Sequence, residues 1–223
     1  MKKLITMILA VMMIVCFTAC GNNNKPTEIS PSGTENSQNQ PTTNRPSNDD
    51  VSKPENSEKQ AKILVTYFSA TNMTEGVAQT IADSLGADLY EITPEQPYTA
   101  ADLNYHDDKS RSTIEMNDPN ARPAISGSVE NMEQYDIVFI GYPIWWGEAP
   151  RILSTFLESY SFSGKTIVPF CTSGGSGVGS SAKNLEKLTS GATWLSGSRL
   201  NGGASRSSVV EWIGGLGLNI TAQ

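Results

Sequence analysis

Cysteine is scarce in this chain, and so are histidine and any second positive cluster beyond the first residues. Only three cysteines occur in 223 residues, at Cys16, Cys20 and Cys171. The first two lie in or at the end of an apolar N-terminal run, so Cys171 is alone in the part that could fold. That excludes a disulfide within the folded part, which must stand on its core. A lone buried core thiol accounts for Cys171. The single histidine, His106, sits in a polar stretch beside Asp107 and Asp108, with no second cluster that would make a metal site. Basic residues are outnumbered, 16 against 23 acidic, for a net charge of −7. Without Lys2 and Lys3 the balance becomes 14 against 23, near −9. Nucleic acid is excluded as a partner on this ground, because phosphate backbones are bound through Lys and Arg. The acidic balance suits a cationic patch on a partner, or simply keeps the domain soluble.

Residues 21 to 60 lack almost all large apolar side chains and consist mainly of Asn, Ser, Thr, Pro and Glu. Such a segment cannot bury enough surface to offset its ordering entropy and reads as a disordered spacer. Forty residues of this kind span roughly 35 Å root-mean-square. Ahead of it, Lys2 and Lys3 precede the apolar stretch Leu4 to Phe17 and then Thr18, Ala19 and Cys20. This order reads as a signal peptide. Small residues before a cysteine resemble the lipobox of bacterial lipoproteins, with Phe17 in place of the usual Leu. That resemblance implies an acylated Cys20 as the new N-terminus; an uncleaved anchor is the alternative. The expected organisation is a lipoprotein signal peptide over 1–19, a lipidated cysteine with linker over 20–60, and one folded domain over 61–223, anchored outside the cytoplasmic membrane.

Within 61–223, Ile63 to Phe68 and Ile137 to Tyr142 are apolar, β-branched runs of strands buried on both faces. Asp88–Ile92, Thr166–Cys171 and Thr193–Leu195 read as further strands, with Pro169 interrupting the fourth. Helices are predicted over 74–85, from near Pro150 with Ile152, Leu153, Phe156 and Leu157 inward, over 180–189, and over 207–213. The alternation implies a parallel α/β sheet with right-handed crossovers, whose ligands bind at the carboxyl ends of the strands. Residues 93 to 134 are polar and proline-rich, and read as an irregular insertion beside the site.

Three loops follow the long strands. Ser69-Ala70-Thr71-Asn72-Met73-Thr74 leads into a helix and offers hydroxyls, an amide and free backbone N–H groups. It contains no lysine, which excludes a Walker loop and suits one phosphomonoester; an ordinary N-cap would look the same. Pro143-Ile144-Trp145-Trp146-Gly147 puts two tryptophans where a flat heteroaromatic ring would stack, with Gly147 permitting close backbone approach. One of the two indoles could instead pack beneath the loop. Ser173-Gly174-Gly175-Ser176-Gly177 supplies backbone donors, or serves as a flexible link.

In this order, FSATNMT, GYPIWWGEAP and TSGGSG together resemble the flavodoxin-like, FMN-binding family over essentially all of residues 61 to 223. The resemblance implies a doubly wound five-stranded parallel sheet of order 2-1-3-4-5. It implies FMN as cofactor, with Ser69, Thr71, Asn72, Met73 and Thr74 at its phosphate. Pro143, Ile144, Trp145, Trp146 and Gly147 would cover the ring, and Ser173, Gly174, Gly175 and Gly177 would flank its other edge. Asn72-Met73 stands where many members have Gly-Asn, and the insertion replaces the second helix. Tyr98 and Arg111 are candidates to face the ring from that insertion. The resemblance also implies electron transfer, to a redox partner protein or a small-molecule acceptor. An NAD(P)H-dependent quinone or flavin reductase and a non-redox ligand-binding lipoprotein are the alternatives.

Overall fold

The computed structural model describes residues 60–222. The expected signal peptide, Cys20 and nearly all of the linker lie outside the described residues.

The five residues of β1 (Ile63–Tyr67) are all buried, because the strand runs through the middle of the sheet. Helix α1 (Met73–Leu85) follows and ends at Gly86, whose left-handed backbone closes the last turn. Then come β2 (Asp88–Glu91) and the two-residue β3 (Thr93–Pro94). Beyond them lie α2 (Arg111–Asn117), the two-residue β4 (Ile125–Ser126) and a 3₁₀ turn over Met132–Gln134. The second half runs β5 (Ile137–Pro143), α3 (Ile152–Glu158), β6 (Thr166–Thr172), α4 (Ser181–Glu186), β7 (Thr193–Trp194), β8 (Ser198–Arg199) and α5 (Arg206–Gly214). Among the described residues no helix is long and apolar enough to cross a membrane.

The main sheet is parallel with order β2-β1-β5-β6-β7, the expected doubly wound arrangement. Alternate residues point to opposite faces and build two cores. Ile63, Val65, Phe139 and Phe170 meet Val77 and Ile81 of α1 and Val209 and Ile213 of α5. Leu64, Phe68, Ile140 and Tyr142 meet Ile152, Leu153, Phe156 and Leu157 of α3 and Leu185 of α4. The inward face predicted for α3 is therefore the observed one. Each such side chain contributes about 1.5–3 kcal/mol on burial.

Two elements depart from the expected layout. The sheet's outer edge is split: β7 pairs β6 at Thr166 and Ile167, whereas β8, absent from the sequence reading, pairs it at Phe170 and Cys171. Leu195 and Leu200 donate to the carbonyls of Ile167 and Cys171, so the backbone polar groups of Pro169, midway between, face the same edge. Proline has no N–H to offer there, and the edge strand breaks opposite it. Helix α4 is shorter than the predicted 180–189.

The insertion is not irregular. Strands β3 and β4 pair antiparallel, and Ser110 caps α2 by accepting from the Thr113 N–H at 3.3 Å. The Arg122 guanidinium forks onto Glu158 of α3 at 2.7 and 2.8 Å. Arg151 donates to the Met116 carbonyl at 2.8 Å, tying the end of α2 to the loop before α3. These contacts join residues 35 or more apart, and no local pattern announces them.

Candidate functional site

At the carboxyl end of β1 the chain turns through Asn72 into α1. Asn72 adopts a left-handed backbone (φ 62°), a conformation that asparagine tolerates better than most residues and that serves the turn in glycine's place. Its side chain makes no cap hydrogen bond, which leaves the first amides of α1 to another acceptor. Just beneath, the Ser69 hydroxyl is buried and has no hydrogen-bond partner among the described residues. An orphaned donor of this kind costs free energy unless an acceptor reaches it. Thr74 is turned away: it is 1% exposed, and its hydroxyl lies 2.8 Å from that of Thr172 at the end of β6. That hydroxyl pair fastens the turn to the sheet. Met73 is 53% exposed, and its thioether lies against Gly202.

The tryptophan loop is built as a tight hairpin. Trp145 and Glu148 exchange backbone hydrogen bonds, each 2.9 Å. The two residues between them, Trp146 (φ 48°) and Gly147 (φ 80°), both have positive φ, as a type I′ turn requires. Glycine adopts this freely; a tryptophan does so at a cost of about 1–3 kcal/mol, a strain that concentrates at functional sites. The turn separates the two indoles. Trp145 packs edge-on against Phe68 (5.6 Å) and Tyr98 (5.4 Å), whereas Trp146 is 49% exposed. The Glu148 carboxylate accepts from Ser180 at 2.9 Å and from Asn184 at 2.9 and 3.0 Å, fixing the loop to α4.

Between these two loops lies an open cleft of ≈ 340 Å³. Thr71, Pro143, Ile144, Trp145 and Trp146, all predicted from sequence, line it together with Ala70. Leu103, Tyr105 and Ser112 of the insertion complete the lining, and none of the nine residues is charged. The sequence reading missed these three, which no motif marks. The insertion residues it did single out sit elsewhere. Arg111 stacks over the Tyr98 ring at 4.0 Å and donates to Glu115 at 2.6 Å, and the Tyr98 hydroxyl donates to the same carboxylate. Both residues thus brace the wall behind Trp145 rather than line the cleft. Burial and then the bond to Glu115 hold the Tyr98 phenol well above its ordinary pKa.

The third loop does not join the cleft lining. Ser173 donates to the Ser176 carbonyl and accepts from the Gly175 N–H at 3.2 Å, closing the loop on itself. Gly174, Gly175 and Gly177 are exposed, and a side chain at any of them would enter open space. Cys171, at the base of this loop, is fully buried, and burial pushes its thiol up to about 11.

An uncapped helix start, an orphaned hydroxyl beside it and an uncharged aromatic cleft form a donor set for a phosphomonoester joined to a flat ring. Comparison with known proteins agrees on the fold. The family model described as Flavodoxin matches residues 62–216. A candidate flavoprotein from Bacteroides eggerthii is 48% identical, with a TM-score of 0.68 over 72% of this chain and 100% of the other. One from Bacteroides uniformis is 47% identical, TM-score 0.67, over 70% and 99%. A Lactobacillus acidophilus flavoprotein solved in complex with FMN shares the fold at 22% identity and TM-score 0.52, over 69% and 99%. No curated protein matches. The chain belongs to the flavodoxin family.

Proposed function

We propose that this protein binds FMN at the carboxyl ends of β1 and β5 and transfers electrons, tethered outside the cytoplasmic membrane through a lipidated Cys20. The observation that carries the cofactor is the uncapped start of α1 beside the partnerless Ser69 hydroxyl. The α1 amides and Ser69 would hold the phosphate through donated hydrogen bonds and the helix dipole, with no cation in the loop. Thr71, Ile144 and the two indoles give the ring an apolar seat. The bound flavin supplies reversible electron transfer, and the protein positions and tunes it. The Trp146-Gly147 peptide unit, in the loop expected to cover the ring, would supply it a backbone hydrogen bond. The acidic balance of the chain disfavours negative charge on a reduced ring and lowers its potential.

An NAD(P)H reductase on the same fold is the alternative, and the two readings are separated by experiment. A redox partner protein of basic surface fits the acidic chain. The test is an absorbance titration of the purified protein with FMN, followed by NADH and then dithionite. Bound-flavin bands that persist with NADH and bleach with dithionite support the carrier; bleaching by NADH overturns it in favour of the reductase. Absence of binding sinks the flavin reading. Tethering through lipid is tested by metabolic labelling with a fatty-acid analogue, which should mark the parent protein and not Cys20→Ser; an unlabelled parent refutes the lipid anchor.

A further inference from the structure

The cleft has more aromatic surface than the loops after β1 and β5 provide. Tyr105 is 67% exposed and lines the cleft from the insertion, and Trp146 lines it from the hairpin at 49%. Large apolar side chains left in solvent around one concavity mark a surface kept for a ligand. Tyr105 has one ring neighbour among the described residues, His106 at 4.0 Å. The backbone that carries it is nonetheless well ordered by hydrogen bonds. Asn104 accepts from Asp107 at 3.0 Å, Asp107 accepts from Ser110 at 2.9 Å, and Asp102 accepts from Ser112 at 3.0 Å. Downstream of these turns, the α2 cap at Ser110 and the Arg111–Glu115 pair fix the segment further. A preorganised backbone therefore holds an exposed aromatic ring at the mouth of a cleft that Thr71 of the phosphate turn also lines. The Ser173–Gly177 loop, expected at the far edge of the ring, does not reach this cleft.

We propose that Tyr105 is a ring-binding residue, supplying from the insertion a second aromatic face to the cleft that Trp146 bounds. The inference rests on the flavin reading and adds to it a contact that none of the three loops contains. Because the phosphate donors, Ser69 and the α1 amides, lie outside the residues that line this cleft with Tyr105, Tyr105 acts on the isoalloxazine ring and leaves the phosphate contacts untouched. Its truncation therefore weakens FMN and riboflavin equally.

The experiment is titration of the full chain with FMN and with riboflavin, read by quenching of flavin fluorescence and by the visible circular dichroism of the bound ring. Tyr105→Ala should weaken both ligands about tenfold, in keeping with aromatic stacking on a heteroaromatic base, and alter the dichroism. Tyr105→Phe should restore both within about twofold, since the ring rather than the hydroxyl makes the contact. An exposed residue such as Tyr105 is replaced without disturbing the core, and an unchanged thermal melt of the apoprotein verifies this. Tyr105→Ala binding both ligands as tightly as the parent, with unaltered dichroism, overturns the proposal while leaving the flavin reading intact. Failure of the parent chain to bind FMN overturns both.

Discussion

Replacing Ser69 with alanine should shift stability and ligand affinity in opposite directions. In the ligand-free protein the Ser69 hydroxyl is buried without a partner, an arrangement that costs about 1–3 kcal/mol. Ser69→Ala removes that cost, so the apoprotein should gain about 1 kcal/mol, or about 2–4 °C in Tm for a domain of this size. With FMN present, the same hydroxyl donates to a charged phosphate, a bond worth about 1.5–3 kcal/mol. Its loss should weaken FMN about 10- to 150-fold. Riboflavin lacks the phosphate and should bind parent and variant alike. The assays are thermal melts of the apoprotein and fluorescence titrations with both flavins. A lower apoprotein Tm in the variant would show that the hydroxyl is satisfied in solution. Equal losses for FMN and riboflavin would show that it does not face a phosphate. Either result refutes the reasoning.

Three further outcomes are expected. Gly141→Ala should cost about 1–3 kcal/mol, because its methyl would sit 2.2 Å from the buried Phe170 ring; Gly202→Ala, whose hardest contact is the movable Met73 methyl at 2.3 Å, with the Met73 Cβ at 3.2 Å, should cost less, and equal melts would contradict this. Cys171, with its thiol raised from 9.0 to about 11, keeps its proton longer when folded, so it adds stability below the unfolded value that is lost as pH rises from 9 towards 11. At pH 8 its labelling by a thiol reagent, followed by mass spectrometry of the Cys171 peptide, should be about 100-fold slower in the native protein than in urea; a native rate within tenfold would refute burial. Arg122 holds the Glu158 carboxyl below its ordinary value, so this pair adds stability above the unfolded carboxylate pKa and loses it as pH falls through the folded one. Arg122→Ala should accordingly cost up to about 1 kcal/mol at pH 7, the difference in urea midpoint closing at acid pH; a difference independent of pH would place the pair's value elsewhere.

Continuous apolar runs such as Ile63–Phe68 and Ile137–Tyr142 can satisfy their side chains only between two helical layers, so the sheet type was legible in the residues, whereas the strand order followed only from the resemblance to the flavodoxin-like family. The tryptophan pair and the hydroxyl-rich turn were legible for the same reason: short motifs at strand ends carry their chemistry locally. Other features had no local signature. Helix α2, with Ser112, Thr113 and Ile114 in its seven residues, has weak intrinsic preference; it stands because Arg151, Tyr98 and the Ser110 cap hold it. Which indole faces solvent depends on a turn closed by Glu148, itself held by α4, and the direction of the Thr74 hydroxyl depends on Thr172 across the sheet. The missing N–H of Pro169 is visible in the sequence, but that the break falls in the edge strand is decided by Leu195 and Leu200 pairing on either side of it. Periodicity along a chain reports which faces are buried. It cannot report which distant segment will bury them, and the wall that carries Tyr105, though ordered by local bonds, is fastened to the rest of the domain by such distant contacts.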